Sequence, residues 1–211
     1  VYVRSASLKY ICYAVLFLLF IMQLLFSHVP KIVHEGIGIL LLAAVLFHLY
    51  GKRGWWTALR KGRYSAYRLL MTTINLVLLV LFAATMVLGV LISDEVFAGI
   101  VPLEVRKTLF LHELHKGLPW YMLLVLSVHV GLHLPFHRSS RRTRSLLFLI
   151  AMSGMLLGST EHMLPERLAF EHIFGTPAQM AGFPAALISL AGIAFFGVFV
   201  GGILRLRLAK R

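Results

Sequence analysis

Cysteine is almost missing from this chain: its 211 residues include one, Cys12, set inside an apolar run. A disulfide scaffold is therefore excluded. Charge is scarce as well, at 14% of residues, and acids are the scarcest, with 8 Asp+Glu against 21 Lys+Arg. Soluble domains carry about 25% charged residues. Apolar residues make up 59% of the chain and the mean hydropathy is +0.85, which excludes a disordered chain. What remains is an all-α polytopic membrane protein, and the net charge of +13 has to be read first as a topology signal.

A membrane helix needs about 20 mostly apolar residues. Six windows meet that need, at residues 10–29, 33–50, 69–92, 114–134, 145–164 and 183–204. The first is too long an apolar run for a signal-peptide core and lacks a small-residue cleavage site after it, so it reads as a retained helix. These windows predict a six-transmembrane-helix bundle. Residues 1–134 would form a four-helix core, and 135–211 would add two further helices to the same bundle.

The charges then sort by side. Sixteen of the 21 basic residues, among them Arg53, Arg60, Lys61, Arg63, Arg68, Arg142 and Arg205, fall at the N-terminus, in the second and fourth loops and at the C-terminus. The other side holds Lys31, Arg106, Lys107, Lys116 and Arg167 together with all 8 acids. Positive residues stay inside, so both termini are expected in the cytoplasm. Trp55 and Trp56 follow the second window, where an interfacial aromatic belt belongs. The run Arg138-Ser-Ser-Arg-Arg-Thr-Arg144 reads as an anchor on anionic lipid, and no nucleic acid is expected as a partner.

Ten histidines are many for such a chain, and ionisable residues inside a bilayer are costly enough to mark function. His34 and His48 are 14 residues apart in the second window, and His115 and His129 are 14 apart in the fourth. Fourteen steps of about 100° fall about 40° short of four turns, so each pair shares one helix face with about 21 Å between its members. Both windows run in the same direction. If they face each other, His34 meets His115 near the outer surface and His48 meets His129 near the inner one. Two stacked haems with two axial imidazoles each require that arrangement. With no C-x-x-C-H in the sequence, the haems would be non-covalent and of b type.

An internal repeat agrees: His34-Glu-Gly-Ile37 matches His115-Lys-Gly-Leu118 at an offset of 81, which places His48 on His129. His112 and His133 are second choices, because their spacings to the partner histidines depart from 14. Gly36, Gly38, Gly117 and Gly131, beside the ligands, could admit a flat macrocycle or serve ordinary helix packing. His133, His137, Lys52 and Arg53 are candidate propionate partners, with lipid contact as the simpler role. His28, His162 and His172 belong to outer loops.

The stretch from His34-Glu-Gly-Ile-Gly to His48-Leu-Tyr, Arg68 opening the third window, and His115-Lys-Gly to His129-Val-Gly-Leu-His133 resemble the flavinylation-associated cytochrome family of bacterial membrane domains. The resemblance covers roughly residues 10–134, with Gly36 departing from the aromatic residue usual at that position. It implies transmembrane electron transfer toward an extracytoplasmic partner, flavin-bearing or other, with His34, His48, His115 and His129 as haem iron ligands. The expected location is the bacterial cytoplasmic membrane, with a quinol or a cytoplasmic donor and a quinone site as a further cofactor expectation. The other reading is a haem-free transporter or assembly subunit whose histidines carry protons or metal, though a proton relay has no need of equal spacings.

Gly154-x-x-x-Gly158 and Gly197-x-x-x-Gly201 fit small-residue helix packing, either with each other or in a homo-oligomer. The outer loops at about 93–113 and 161–182 are expected to dock a redox partner, to wall a quinone pocket, or simply to connect helices.

Overall fold

The computed structural model describes residues 2–134, 140–161, 164–170 and 182–208. His137, Arg138, His162, Glu171, His172, Lys210 and Arg211 lie outside the described residues. All regular structure among the described residues is helical, in the order α1 (Tyr2–Leu24), a 3-10 turn (Phe26–His28), α2 (Lys31–Gly51), α3 (Arg53–Ala58), α4 (Ala66–Leu91), α5 (Leu103–Arg106), α6 (Leu109–His133), α7 (Arg141–Glu161), α8 (Leu164–Leu168) and α9 (Phe183–Leu208).

A long helix occupies each of the six apolar windows. Among the described residues, four stretches are both long and apolar enough to cross a membrane: Lys31–Gly51, Ala66–Leu91, Arg142–Thr160 and Phe183–Leu208. In α1 the described apolar stretch is Ile11–Leu24, and the apolar run of α6 is interrupted by Glu113, His115 and Lys116. Large apolar side chains point outward along these helices, among them Phe47, Val80, Leu156 and Ile188. Surfaces of that kind belong in lipid, which identifies a bilayer as their solvent.

Local chemistry explains the helix ends. Pro30 precedes α2, and its carbonyl accepts the amides of Val33 and His34, both at 3.0 Å. Gly62, with φ 73°, takes a left-handed conformation costly for other residues in the turn before α4. Ser65 then caps α4, its Oγ accepting the Arg68 amide at 3.2 Å. Ser140 does the same for α7 with the Thr143 amide at 3.1 Å. In each case a side-chain oxygen satisfies an amide that the first helical turn leaves without a carbonyl.

The chain divides by its own contacts into two compact units: Val1–Gly62 with Gly89–Arg106, and Arg63–Leu88 with Lys107–Arg211. In the first unit α1 packs against α2, burying Phe20, Ile21, Leu24, Leu25 and Leu41. The loop after α4 is latched onto α2. Glu35 accepts hydrogen bonds from Ser93 Oγ at 2.7 Å and from the amides of Asp94, Glu95 and Val96 at 3.1, 3.2 and 2.8 Å. Asp94 in turn pairs with Lys31 at 3.1 Å and Arg106 at 3.3 Å.

In the second unit α9 packs against both α6 and α7, with Leu190 and Ile193 fully buried. The last two long helices are thus grouped with α6. Glycine makes both contacts close. A Cβ on Gly154 would lie 2.8 Å from the Gly192 Cα, and one on Gly158 would lie 2.5 Å from the Ser189 carbonyl. A Cβ on Gly197 would lie 2.5 Å from the Ser127 Cβ, and one on Gly201 would overlap the Val128 carbonyl. The two glycine motifs therefore do not pack on each other: one meets α9 and the other meets α6. Both are used within the chain.

Candidate functional site

The histidines are best followed helix by helix. Both α2 and α6 run unbroken through their 14-residue spacings, so His34 and His48 share one face of α2, and His115 and His129 share one face of α6. The two pairs belong to different units, and each is described by itself.

On α2, each histidine has an aromatic ring from the preceding segment against it. The Phe26 ring meets His34 edge-on at 6.0 Å, and Gln23 Nε2 donates to the His34 carbonyl at 2.9 Å. The Tyr13 ring meets His48 edge-on at 5.7 Å. The two neighbouring cations expected to reach a propionate or lipid are turned onto tyrosines. Lys52 Nζ donates to the Tyr13 hydroxyl at 2.9 Å, and the Arg53 guanidinium lies over the Tyr50 ring at 4.9 Å.

On α6, His115 Nδ1 lies 3.1 Å from the carbonyl oxygen of Thr85 on α4. A carbonyl can only accept, so Nδ1 carries the proton and a neutral His115 presents the lone pair of Nε2. This is the way metal-binding imidazoles are commonly aimed, with the far nitrogen tied to a carbonyl or carboxylate. Thr85 is buried, and its hydroxyl donates to the Leu81 carbonyl at 2.8 Å, which holds the residue in the helix. Nearer the other end of α6, the Tyr67 hydroxyl of α4 donates to the Leu132 carbonyl at 3.0 Å, so α4 runs antiparallel to α6 along the histidine-bearing stretch.

Pro119 lies inside α6, four residues after His115. It has no amide hydrogen to give the His115 carbonyl, so the helix is loosened at that residue. The His129 ring meets the exposed His133 ring edge-on at 4.9 Å, which leaves both as ligand candidates at that level. His112 stands one turn before His115 in the same helix.

Two glycines that sequence had offered to a macrocycle face protein instead. A Cβ on Gly117 would overlap the Phe170 ring, and one on Gly131 would overlap the Val198 carbonyl. Gly38 faces Gln23, whereas around Gly36 nothing lies within 4 Å.

Sequence reading missed Thr85, Pro119 and the Glu35 latch. Pro119 was visible as a helix breaker one turn past a candidate ligand. Thr85 could have been found as a hydroxyl after Ala83-Ala84 in the apolar second half of α4. The Glu35 contacts join residues about 60 positions apart and left no local signal. Comparison with known proteins finds no matching family model, no matching curated protein and no matching solved structure.

Proposed function

We propose that the chain is a six-helix, di-haem b-type cytochrome carrying electrons across the bacterial cytoplasmic membrane. The observation that carries this reading is the equal 14-residue spacing of His34/His48 and His115/His129 on two unbroken helices. The aim of His115 supports it, since its Nε2 lone pair is the one an iron needs. By the offset of 81, His34 and His115 would hold one haem, and His48 and His129 the other. An iron with two axial imidazoles exchanges single electrons and offers no open position to oxygen or substrate.

The residues present fit such a group. Phe26 and Tyr13 set aromatic walls beside the α2 ligands, and the Thr85 carbonyl sets the rotation of His115. Apolar surroundings exclude water from the imidazoles and lower the local dielectric, which influences the redox potential. The charge sorting orients both termini to the cytoplasm. The family resemblance supplies the partner, an extracytoplasmic redox protein, flavin-bearing or other, with a quinol or a cytoplasmic donor on the supply side. No acid, base or nucleophile for other chemistry is required.

A redox difference spectrum with haem quantification tests the proposal. Low-spin b-type bands and about two haems per chain are expected from the ligand count. A colourless protein, purified from cells supplied with haem, overturns it. His34→Ala should remove one haem and spare the other, and an unchanged spectrum would reject the ligand assignment.

A further inference from the structure

A histidine ring turns about a broad last torsion with no sharp intrinsic minimum, so the plane of a ligand imidazole is set by what touches it. For His115 that contact is the Thr85 carbonyl. The His48 ring makes no hydrogen bond among the described residues and is met instead by Tyr13 of α1, edge-on at 5.7 Å with 69° between the planes. That distance falls within the roughly 4.5–7 Å at which T-shaped ring pairs attract.

Tyr13 is itself fixed. Lys52 Nζ donates to its hydroxyl at 2.9 Å while standing 5.5 Å from the ring centre, which places the ammonium off the hydroxyl end and not over the ring face. The tie is therefore a charge-assisted hydrogen bond. Lys52 follows His48 by four residues, so about 40° and about 6 Å separate the two on one face of α2. Its amide donates to the His48 carbonyl at 3.1 Å, and as the residue closing α2 it holds its charge where the helix dipole favours a cation. Three contacts thus make a closed circuit: imidazole to phenol ring, phenol hydroxyl to ammonium, and Lys52 backbone to His48 backbone. All three residues belong to the first unit. Turning the His48 ring displaces Tyr13, and Tyr13 leaves only by giving up Lys52. At the other end of α2 the corresponding ring is Phe26, which has no hydroxyl to tether.

We infer that Tyr13, locked by Lys52, is a positioning residue that sets the imidazole plane of His48. The inference rests on the cytochrome reading, in which His48 is an axial ligand, and it assigns Lys52 to a tyrosine in place of a propionate or a lipid phosphate. Groups behind a metal-binding imidazole orient it and tune the metal. The plane of the ring decides how its π electrons meet the iron orbitals, so a turn of the ring registers in the electron paramagnetic resonance of the ferric haem even when both axial bonds remain.

The test uses the full chain and reads haem per chain together with the g-values of each ferric low-spin haem. Tyr13→Leu should shift the largest g-value of one haem and leave the other, with two haems retained. Tyr13→Phe keeps the ring, drops the tether and changes no charge; it should move the same signal in the same direction by a smaller amount. Lys52→Met should match Tyr13→Phe, and the two combined should move the signal no further than either alone, because they break one contact. An unmoved signal in Tyr13→Leu overturns the inference, as do equal shifts in both haems. A shift with Lys52→Met and none with Tyr13→Phe also overturns it, since the lysine would then act directly on a haem carboxylate or a lipid. If Tyr13→Leu does not fold, Tyr13→Phe decides by the same signal. A wild-type protein without haem bands fails the cytochrome reading itself, whereas two normal haems whose signals ignore Tyr13 fail this inference alone.

Discussion

Replacing Gly131 by valine tests the packing that carries α6. A Cβ at this position would lie 3.0 Å from the Gly201 Cα and closer still to the Val198 carbonyl. Non-bonded carbons rest at about 3.5–4.0 Å, so α6 and α9 would have to part by about 0.5–1 Å for a methyl, and by more for valine. Overpacking of this kind costs about 1–3 kcal/mol, offset by about 0.5 kcal/mol because valine is the better helix former. A net loss of about 2 kcal/mol is a factor of about 30 in the folding equilibrium, and for a chain of this size it lowers the melting temperature by about 4–8 °C. Gly36→Val is the matched control: it is the same substitution inside a long helix, at a position with nothing within 4 Å, and should change stability by less than about 0.5 kcal/mol. Melting followed by circular dichroism in detergent compares the two. Equal melting temperatures would refute the close approach of α6 and α9. Gly131 stands two residues past His129, so displacement of α6 should also alter the spectrum of the haem assigned to His129.

Other perturbations address the two units separately. Glu35→Gln removes the charge that collects three amides and a hydroxyl; hydrogen bonds to charged groups contribute about 1.5–3 kcal/mol, so amide exchange at Asp94, Glu95 and Val96 should accelerate tenfold or more, and unchanged protection would refute the latch. Pro119→Ala gives the His115 carbonyl its missing amide partner and relieves a helix penalty of about 3 kcal/mol. It should hold or raise the melting temperature while altering the haem assigned to His115, and an unchanged spectrum would show that the proline does not set the aim of that ring. Ser140→Ala should cost about 1 kcal/mol by uncapping α7, read as a fall of about 2–4 °C; an unmoved melting temperature would count against the cap.

Hydropathy located the helices and misjudged several ends. The second window at 33–50 became Lys31–Gly51, but the fourth, at 114–134, became Leu109–His133. A window of mean hydropathy stops at Glu113 and cannot see that the helix begins before it, because that charge leaves the backbone hydrogen bonds untouched. α9 likewise runs on to Leu208 past Arg205, one of whose guanidinium nitrogens donates to the Leu134 carbonyl at 3.1 Å. α1 stops at Leu24, short of the window's end at 29, where the chain turns ahead of Pro30. The histidine spacing was legible because a helix repeats every 3.6 residues whatever surrounds it.

By itself the sequence determined that the chain is helical and belongs in a bilayer, and that four of its histidines fall in two pairs of equal spacing. Those are properties of local composition and helix period, and distant residues do not alter them. Tertiary structure decided which neighbours each face meets. The Thr85 carbonyl that accepts a hydrogen bond from His115 Nδ1 comes from 30 positions away, the amides that collect Glu35 from about 60, and the carbonyl that occupies the face of Gly131 from another helix. A glycine written beside a candidate ligand histidine looks the same in sequence whether its open face meets empty space, a phenylalanine ring or a second backbone, because that choice is made by packing between segments far apart along the chain.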